Sequence, residues 1–175
     1  MKETRIFTLT GLFVALVAVS TMVIHVPVVA TGGFVNVGDT MIFVAAILLG
    51  RRAGLLAGGI GSALADVLLG YSHWAPWTLV IKGIEGWIVG RLGCSSFRET
   101  KGISASVIIA QALGALWMVV GYYLAGGFIL GFKVALAEIP ANLVQGGSSI
   151  VFASILLYAL RGVKGIVPGR EPGKN

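Results

Sequence analysis

Charge is what this sequence has least of. Only 11% of its 175 residues are Asp, Glu, Lys or Arg, whereas 57% are hydrophobic and the mean hydropathy is +0.94. Soluble domains carry roughly 25% charged residues, so this chain has too little polar surface to face water and reads as an integral membrane protein. Cysteine is almost absent: Cys94 stands alone, which excludes an intramolecular disulfide and leaves a thiol expected to be inert. The net charge is +6, but basic residues never occur five in a row, so they are read as topology signals and no nucleic-acid partner is expected. There is no G-x-x-x-x-G-K-[ST] loop, which excludes ATP hydrolysis by that route, and no obvious pair of inverted halves of the kind secondary transporters use. Transport by this chain would therefore need an outside energy source. No cofactor and no metal site are expected.

Glycine is abundant, with 26 residues. That is about twice the usual share, and in a bilayer it fits helices whose backbones approach closely, because lipid supplies no hydrophobic force to press them together. Apolar segments run over Ile6 to Val26, Asp39 to Gly50, Ala53 to Gly70, Trp74 to Leu92, Ile103 to Ala125 and Ala135 to Leu160. A hydrocarbon core near 30 Å asks for about 20 residues per helix, so the second segment is either enclosed by neighbours or extended by the loop before it. With the N-terminus inside, every Lys and Arg falls on the cytoplasmic side except Lys133, which is outside, and Lys82, which lies within a helix. The expected fold is an all-α integral membrane protein, with one compact domain over residues 1–175 and six transmembrane helices. Both termini are cytoplasmic, and residues 161–175 form a solvated basic tail. The start, MKETR before an apolar run, imitates a secretory signal, but Ile6 to Ile24 exceeds the roughly 7 to 15 residues of a signal core and is kept as a helix.

The polar groups that remain are concentrated towards the external side. Between the first two helices, Pro27, Gly32 and Gly33 forbid a regular helix, while Asn36 and Asp39 offer hydrogen-bonding groups. This stretch is a lid or a plain connector in which Asp39 caps helix two. Gly50, Gly54, Gly58 and Ser62 recur every four residues and form a packing stripe, with Asp66 on the last turn of the same helix. At 100° per residue, Trp74, Thr78, Lys82 and Glu85 share one face of the next helix, and Lys82 can pair with Glu85. Ionisable groups at membrane depth are costly, so these either tie helices together or bind something. Trp74 and Trp77 either line a pocket or belong to the interfacial aromatic belt. Glu138, Asn142, Gln145 and Ser149 form a polar stripe on the last helix, and Tyr122 and Tyr123 lie at the outer end of the one before it. Together these groups describe an enclosed pocket for a small polar aromatic molecule.

The run from Phe34 to Gly90, with FVNVGD, GRRAGLLAGGIGSALAD and PWTLVIKGIEG, resembles the substrate-binding S components of energy-coupling factor (ECF) vitamin transporters, in the riboflavin-type branch. The resemblance implies a subunit without catalytic activity in the plasma membrane of a prokaryote. Such a subunit captures a water-soluble vitamin outside and delivers it inward with a transmembrane scaffold subunit and two cytosolic ATPases. It implies ligand contacts from Asn36, Asp39, Asp66, Trp74, Trp77, Lys82, Glu138 and Asn142, under the loop between helices one and two. It also implies a docking face for the scaffold at Gly11, Ala15 and nearby Ala18, where the family carries an Ala-x-x-x-Ala type surface and Gly11 departs from alanine but stays small. Riboflavin, pyridoxine and the hydroxymethylpyrimidine part of thiamin all remain open as ligands. Two other classes compete: an intramembrane serine protease built on Ser62 and a histidine, and a self-contained oligomeric carrier or channel.

Overall fold

In a medium without water every backbone N–H and C=O needs an internal partner, and long apolar runs meet that need by forming helices. The computed structural model describes residues 2–28, 33–100 and 103–161. Its helices are α1 (Lys2–Val23), α2 (Gly38–Leu49), α3 (Arg51–Leu68), α4 (Ala75–Glu99), α5 (Ala105–Leu130), the single-turn α6 (Phe132–Ala135) and α7 (Glu138–Leu160). Three stretches are long and apolar enough to cross a membrane on composition alone, namely Glu3–Val23, Ala105–Leu130 and Phe132–Leu160, the last taking in both α6 and α7. Gly32, Lys101 and the basic tail from residue 162 onward lie outside the described residues.

The short second segment is α2, and it is enclosed. Every residue of Gly38–Leu49 except Met41 is buried, so its 12 residues face protein on all sides and need not match the thickness of lipid. Phe43, Ile47 and Leu48 are at the centre of the main core, against Val17 of α1, Val89 of α4 and Leu157 of α7. The outer surfaces carry Leu12, Val19, Leu113, Val144 and Ile155, all exposed, as expected for a bundle whose rim contacts acyl chains.

The glycine stripe does what its spacing suggests. A Cβ added to Gly86 would collide with the carbonyl of Gly54, and one added to Gly58 with the carbonyl of Lys82, so α3 and α4 touch backbone to backbone. The turn between α2 and α3 rests on Gly50 at φ 98°, a conformation that side-chain-bearing residues rarely adopt.

Several boundaries differ from expectation. The all-α reading omits a two-stranded antiparallel hairpin, β1 (His25–Val28) and β2 (Gly33–Asn36), paired from His25↔Asn36 to Val28↔Gly33. Pro27 does bar a helix there, but Val26, Val28 and Val35 suit an extended chain, and pairing satisfies the backbone groups that a bare loop would leave open. Helix α1 consequently ends at Val23, short of Val26. Helix α4 continues to Glu99, past Leu92, because Gly93 to Arg98 contain no breaker, and α5 runs on to Leu130 until Gly131 at φ 93° stops it.

Candidate functional site

The hairpin end of the bundle holds a cavity among α1, β1, β2, α3, α4, α5 and α7. It is lined by Thr21 of α1 and by Val28, Phe34 and Asn36 of the hairpin. The deeper walls are Ser62 and Asp66 of α3, Trp74, Thr78 and Lys82 around α4, Tyr122 of α5, and Glu138, Asn142 and Gln145 of α7. The empty volume is about 510 Å³ including its open mouth. Six of the eight residues proposed as ligand contacts meet here: Asn36, Asp66, Trp74, Lys82, Glu138 and Asn142.

The other two sit elsewhere. Trp77 is three residues after Trp74, is 41% exposed and does not line the cavity; the helical twist turns its ring outward while Trp74, 4% exposed, points in. Asp39 lies behind the wall. It is not the cap of α2 either, since Val37 holds that position and no side chain caps it. Instead the Lys82 ammonium donates to Asp39 Oδ1 and lies 3.1 Å from Glu85 Oε2, and all three groups are buried. The expected Lys82–Glu85 pair is thus part of a three-membered cluster whose other member comes from α2, not from Asp66 of α3.

Gln145 connects this cluster to the hairpin. Its Nε2 donates to Asp39 Oδ2 at 2.7 Å, and its Oε1 accepts the backbone N–H of Asn36 at 2.7 Å. The Asn36 side chain then accepts the N–H of Gly38 at 2.8 Å, which fixes the passage from β2 into α2. One amide therefore ties α7, α2 and the hairpin over the cavity.

Aromatic groups form the opposite wall. Trp74 and Tyr122 meet edge to face with centroids 6.1 Å apart, the Lys82 ammonium lies 5.6 Å from the Tyr122 ring centre, and Tyr122 shares a hydrogen bond of 3.1 Å with Thr78. Phe34 packs against Tyr71 with rings tilted and centroids 4.8 Å apart, and edge to face against His25 at 5.7 Å, which anchors the hairpin beside the mouth. Two buried polar atoms on residues lining the cavity have no hydrogen-bond partner among the described residues, the acceptor Asp66 Oδ2 and the donor Trp74 Nε1. A buried orphan costs about 1–3 kcal/mol, so this pair is set for a partner that supplies both a donor and an acceptor.

The family described as "ECF-type riboflavin transporter, S component" matches residues 1–162. This chain belongs to that family. Two relatives extend the comparison. A Pyrococcus woesei protein described as "Uncharacterized protein in gap 3'region" is 41% identical over 83% of this chain and 94% of its own length. The "Thiamine precursor transporter HmpT" of Lactococcus lactis subsp. cremoris (strain MG1363) is 27% identical over 89% of this chain and 87% of its own.

The S component is a membrane transporter subunit and not an enzyme. Ser62, considered as a nucleophile, is buried in the α3 stripe and lines the cavity. On α1, Gly11 and Ala15 are exposed, and a Cβ on Gly11 would meet nothing within 4 Å. Ala18 differs: it is 5% exposed although it lies only about 60° around the helix from Ala15, because α3 packs on α1 at the level of Val14 and Val17 and the bundle covers this part of the arc. Tyr122, Thr78, Gln145 and Ser62 were visible in the sequence as polar or aromatic positions near the site, but helical spacing alone could not separate them from packing or belt residues.

Proposed function

We propose that this S component is the substrate-capture subunit of an ECF importer in a prokaryotic plasma membrane, and that its ligand is a small hydroxymethyl-aminopyrimidine of the thiamin-precursor class. The observation that carries the ligand choice is the pairing of an orphaned acceptor, Asp66 Oδ2, with an orphaned donor, Trp74 Nε1, among the residues lining one cavity. An exocyclic amino group next to a ring nitrogen offers the complementary donor and acceptor in one plane, and the Trp74 and Tyr122 rings suit a flat heterocycle. The name of the Lactococcus relative points the same way.

In this reading Asn36, Asp66, Trp74, Lys82, Glu138 and Asn142 contact or enclose the ligand at the external side, while Asp39 supports Lys82 from behind. The chain forms one six-span domain over residues 1–175 with both ends cytoplasmic, and its basic tail at 161–175 lies in the cytoplasm. Delivery inward depends on a transmembrane scaffold subunit and two cytosolic ATPases, with the open face at Gly11 and Ala15 as the docking surface.

The test is a titration of 4-amino-5-hydroxymethyl-2-methylpyrimidine, pyridoxine and riboflavin against the tryptophan fluorescence of the purified protein. Saturable quenching by the aminopyrimidine, weakened at least tenfold in Asp66→Asn, is the expected outcome. Tighter binding of riboflavin would overturn the ligand assignment, and no response to any of the three would overturn vitamin capture altogether. Ala15→Trp should leave the titration unchanged but abolish ATP-driven uptake in vesicles carrying the full complex; uptake by this chain alone would favour a self-contained carrier.

A further inference from the structure

The end of the bundle remote from the hairpin has a second cavity, and its chemistry is different. Arg51 opens α3 immediately after the Gly50 turn, and a Cβ on Gly90 would lie 2.6 Å from the Arg51 nitrogen, so α4 crosses the very start of α3. The crossing leaves an open recess, about 750 Å³ of empty space including its wide mouth, lined by Arg51, Gly90, Arg91, Cys94, Ser95, Arg98 and Glu99. Along α3, Arg51 is fifteen residues from Asp66, about 22 Å at 1.5 Å per residue, so this recess is separate from the hairpin-end site.

Three arginines converge on the recess, all of them exposed, and none forms an ion pair among the described residues. Arg98 donates a long hydrogen bond, 3.5 Å, to the carbonyl of Leu48, and its charge acts on the neighbouring Cys94 thiol. Glu99 is the only acid in the lining, so the recess carries surplus positive charge. The α3 N-terminus adds to it, because no side chain caps the helix at Gly50 and its first N–H groups end beside Arg51. A cytoplasmic bias of basic residues requires arginines at this end but does not require three of them to border one recess.

We propose that this recess binds a phosphate group and that the phosphate belongs to the headgroup of an anionic lipid. Guanidinium groups match phosphate oxygens in a planar, two-pronged geometry, and the Ser95 hydroxyl adds a donor. The choice of lipid over a free anion comes from the surroundings. Leu55, one turn along α3 from Arg51, and Leu92, next to Arg91 on α4, are 40% and 45% exposed, so apolar surface where acyl chains would lie adjoins the arginines. An occupant charged at one end and apolar at the other fits both features.

The experiment uses the full chain, purified and delipidated in a neutral detergent. Dioleoylphosphatidylglycerol, dioleoylphosphatidylcholine and inorganic phosphate are added in turn, with bound lipid counted by native mass spectrometry. Phosphatidylglycerol is expected to be retained in preference to phosphatidylcholine. The double variant Arg91→Gln/Arg98→Gln should bind it about 25-fold more weakly, since each arginine near an anionic surface contributes about fivefold. Arg5→Gln, which removes an exposed charge from α1, should leave it unchanged. Equal retention in the double variant and the unaltered protein would overturn the site. Competition by inorganic phosphate as strong as that by the lipid would overturn the lipid as occupant. Should the double variant fold poorly, Arg98→Lys keeps the charge but loses the fork; undiminished phosphatidylglycerol retention there would equally count against a guanidinium–phosphate site.

Discussion

Replacing Lys82 by methionine should be far more damaging than replacing Glu85 by glutamine, although both break the same ion pair. Lys82 stands between Asp39 and Glu85, so one buried ammonium faces two buried carboxyl groups. The two carboxylates are not equally served. Asp39 accepts from both Lys82 and Gln145, whereas neither Glu85 oxygen has a hydrogen bond of proper geometry and Oε2 merely lies 3.1 Å from the ammonium. Lys82→Met leaves the buried Asp39 carboxylate without its cation, and breaking a buried pair in this way costs about 3–5 kcal/mol. For a domain of this size each kcal/mol lowers the melting temperature by about 2–4 °C, so the loss should be about 6–20 °C. Glu85→Gln keeps the size of the side chain, leaves the Asp39–Lys82 pair intact, and should alter stability by less than about 1 kcal/mol. The assay is intrinsic-fluorescence melting of both variants without ligand, in one detergent and at one scan rate. Equal losses would refute the charge argument and mean that Glu85 makes a contact of its own that the fold needs.

Gln145→Leu should free the hairpin. It leaves the Asn36 N–H without its acceptor and Asp39 Oδ2 without a donor, at about 1–3 kcal/mol each, so amide exchange at Asn36 should accelerate more than tenfold; an unchanged rate would remove Gln145 as the tie. Trp74→Ala should weaken ligand binding by about 5- to 150-fold, the value of one ring stacked on a planar heterocycle, while Trp77→Ala should change it less than twofold. Equal losses in the two titrations would place both rings in the site and contradict the outward position of Trp77.

How much could be read from residues alone differed between elements. Gly54 and Gly58 announced a close helix contact, because small residues four apart can only form a seam, and the seam proved to lie against Gly86 and Lys82 of α4. Trp74 and Trp77 looked equivalent, since each is an aromatic residue near a helix start; only the direction of the helix relative to the cavity told them apart. Ala18 looked continuous with Gly11 and Ala15, but which arc of α1 the bundle covers depends on where α3 crosses it.

Charge content and the run of apolar segments by themselves determined that this chain belongs in a bilayer, that it is helical, and that its few buried polar groups had to be accounted for. Those properties depend on composition and on local hydrogen bonding, which every segment carries with it. The partner of Lys82 was decided only by tertiary structure. Glu85 lies one turn away on the same helix and could be foreseen, whereas Asp39, 43 residues distant along the chain, was brought there by the burial of α2. The tie from Gln145 to Asn36 spans 109 residues and arises in the same way. Helical period fixes which residues share a face, but which faces meet is settled by packing the whole bundle, and the cavity exists only where they do.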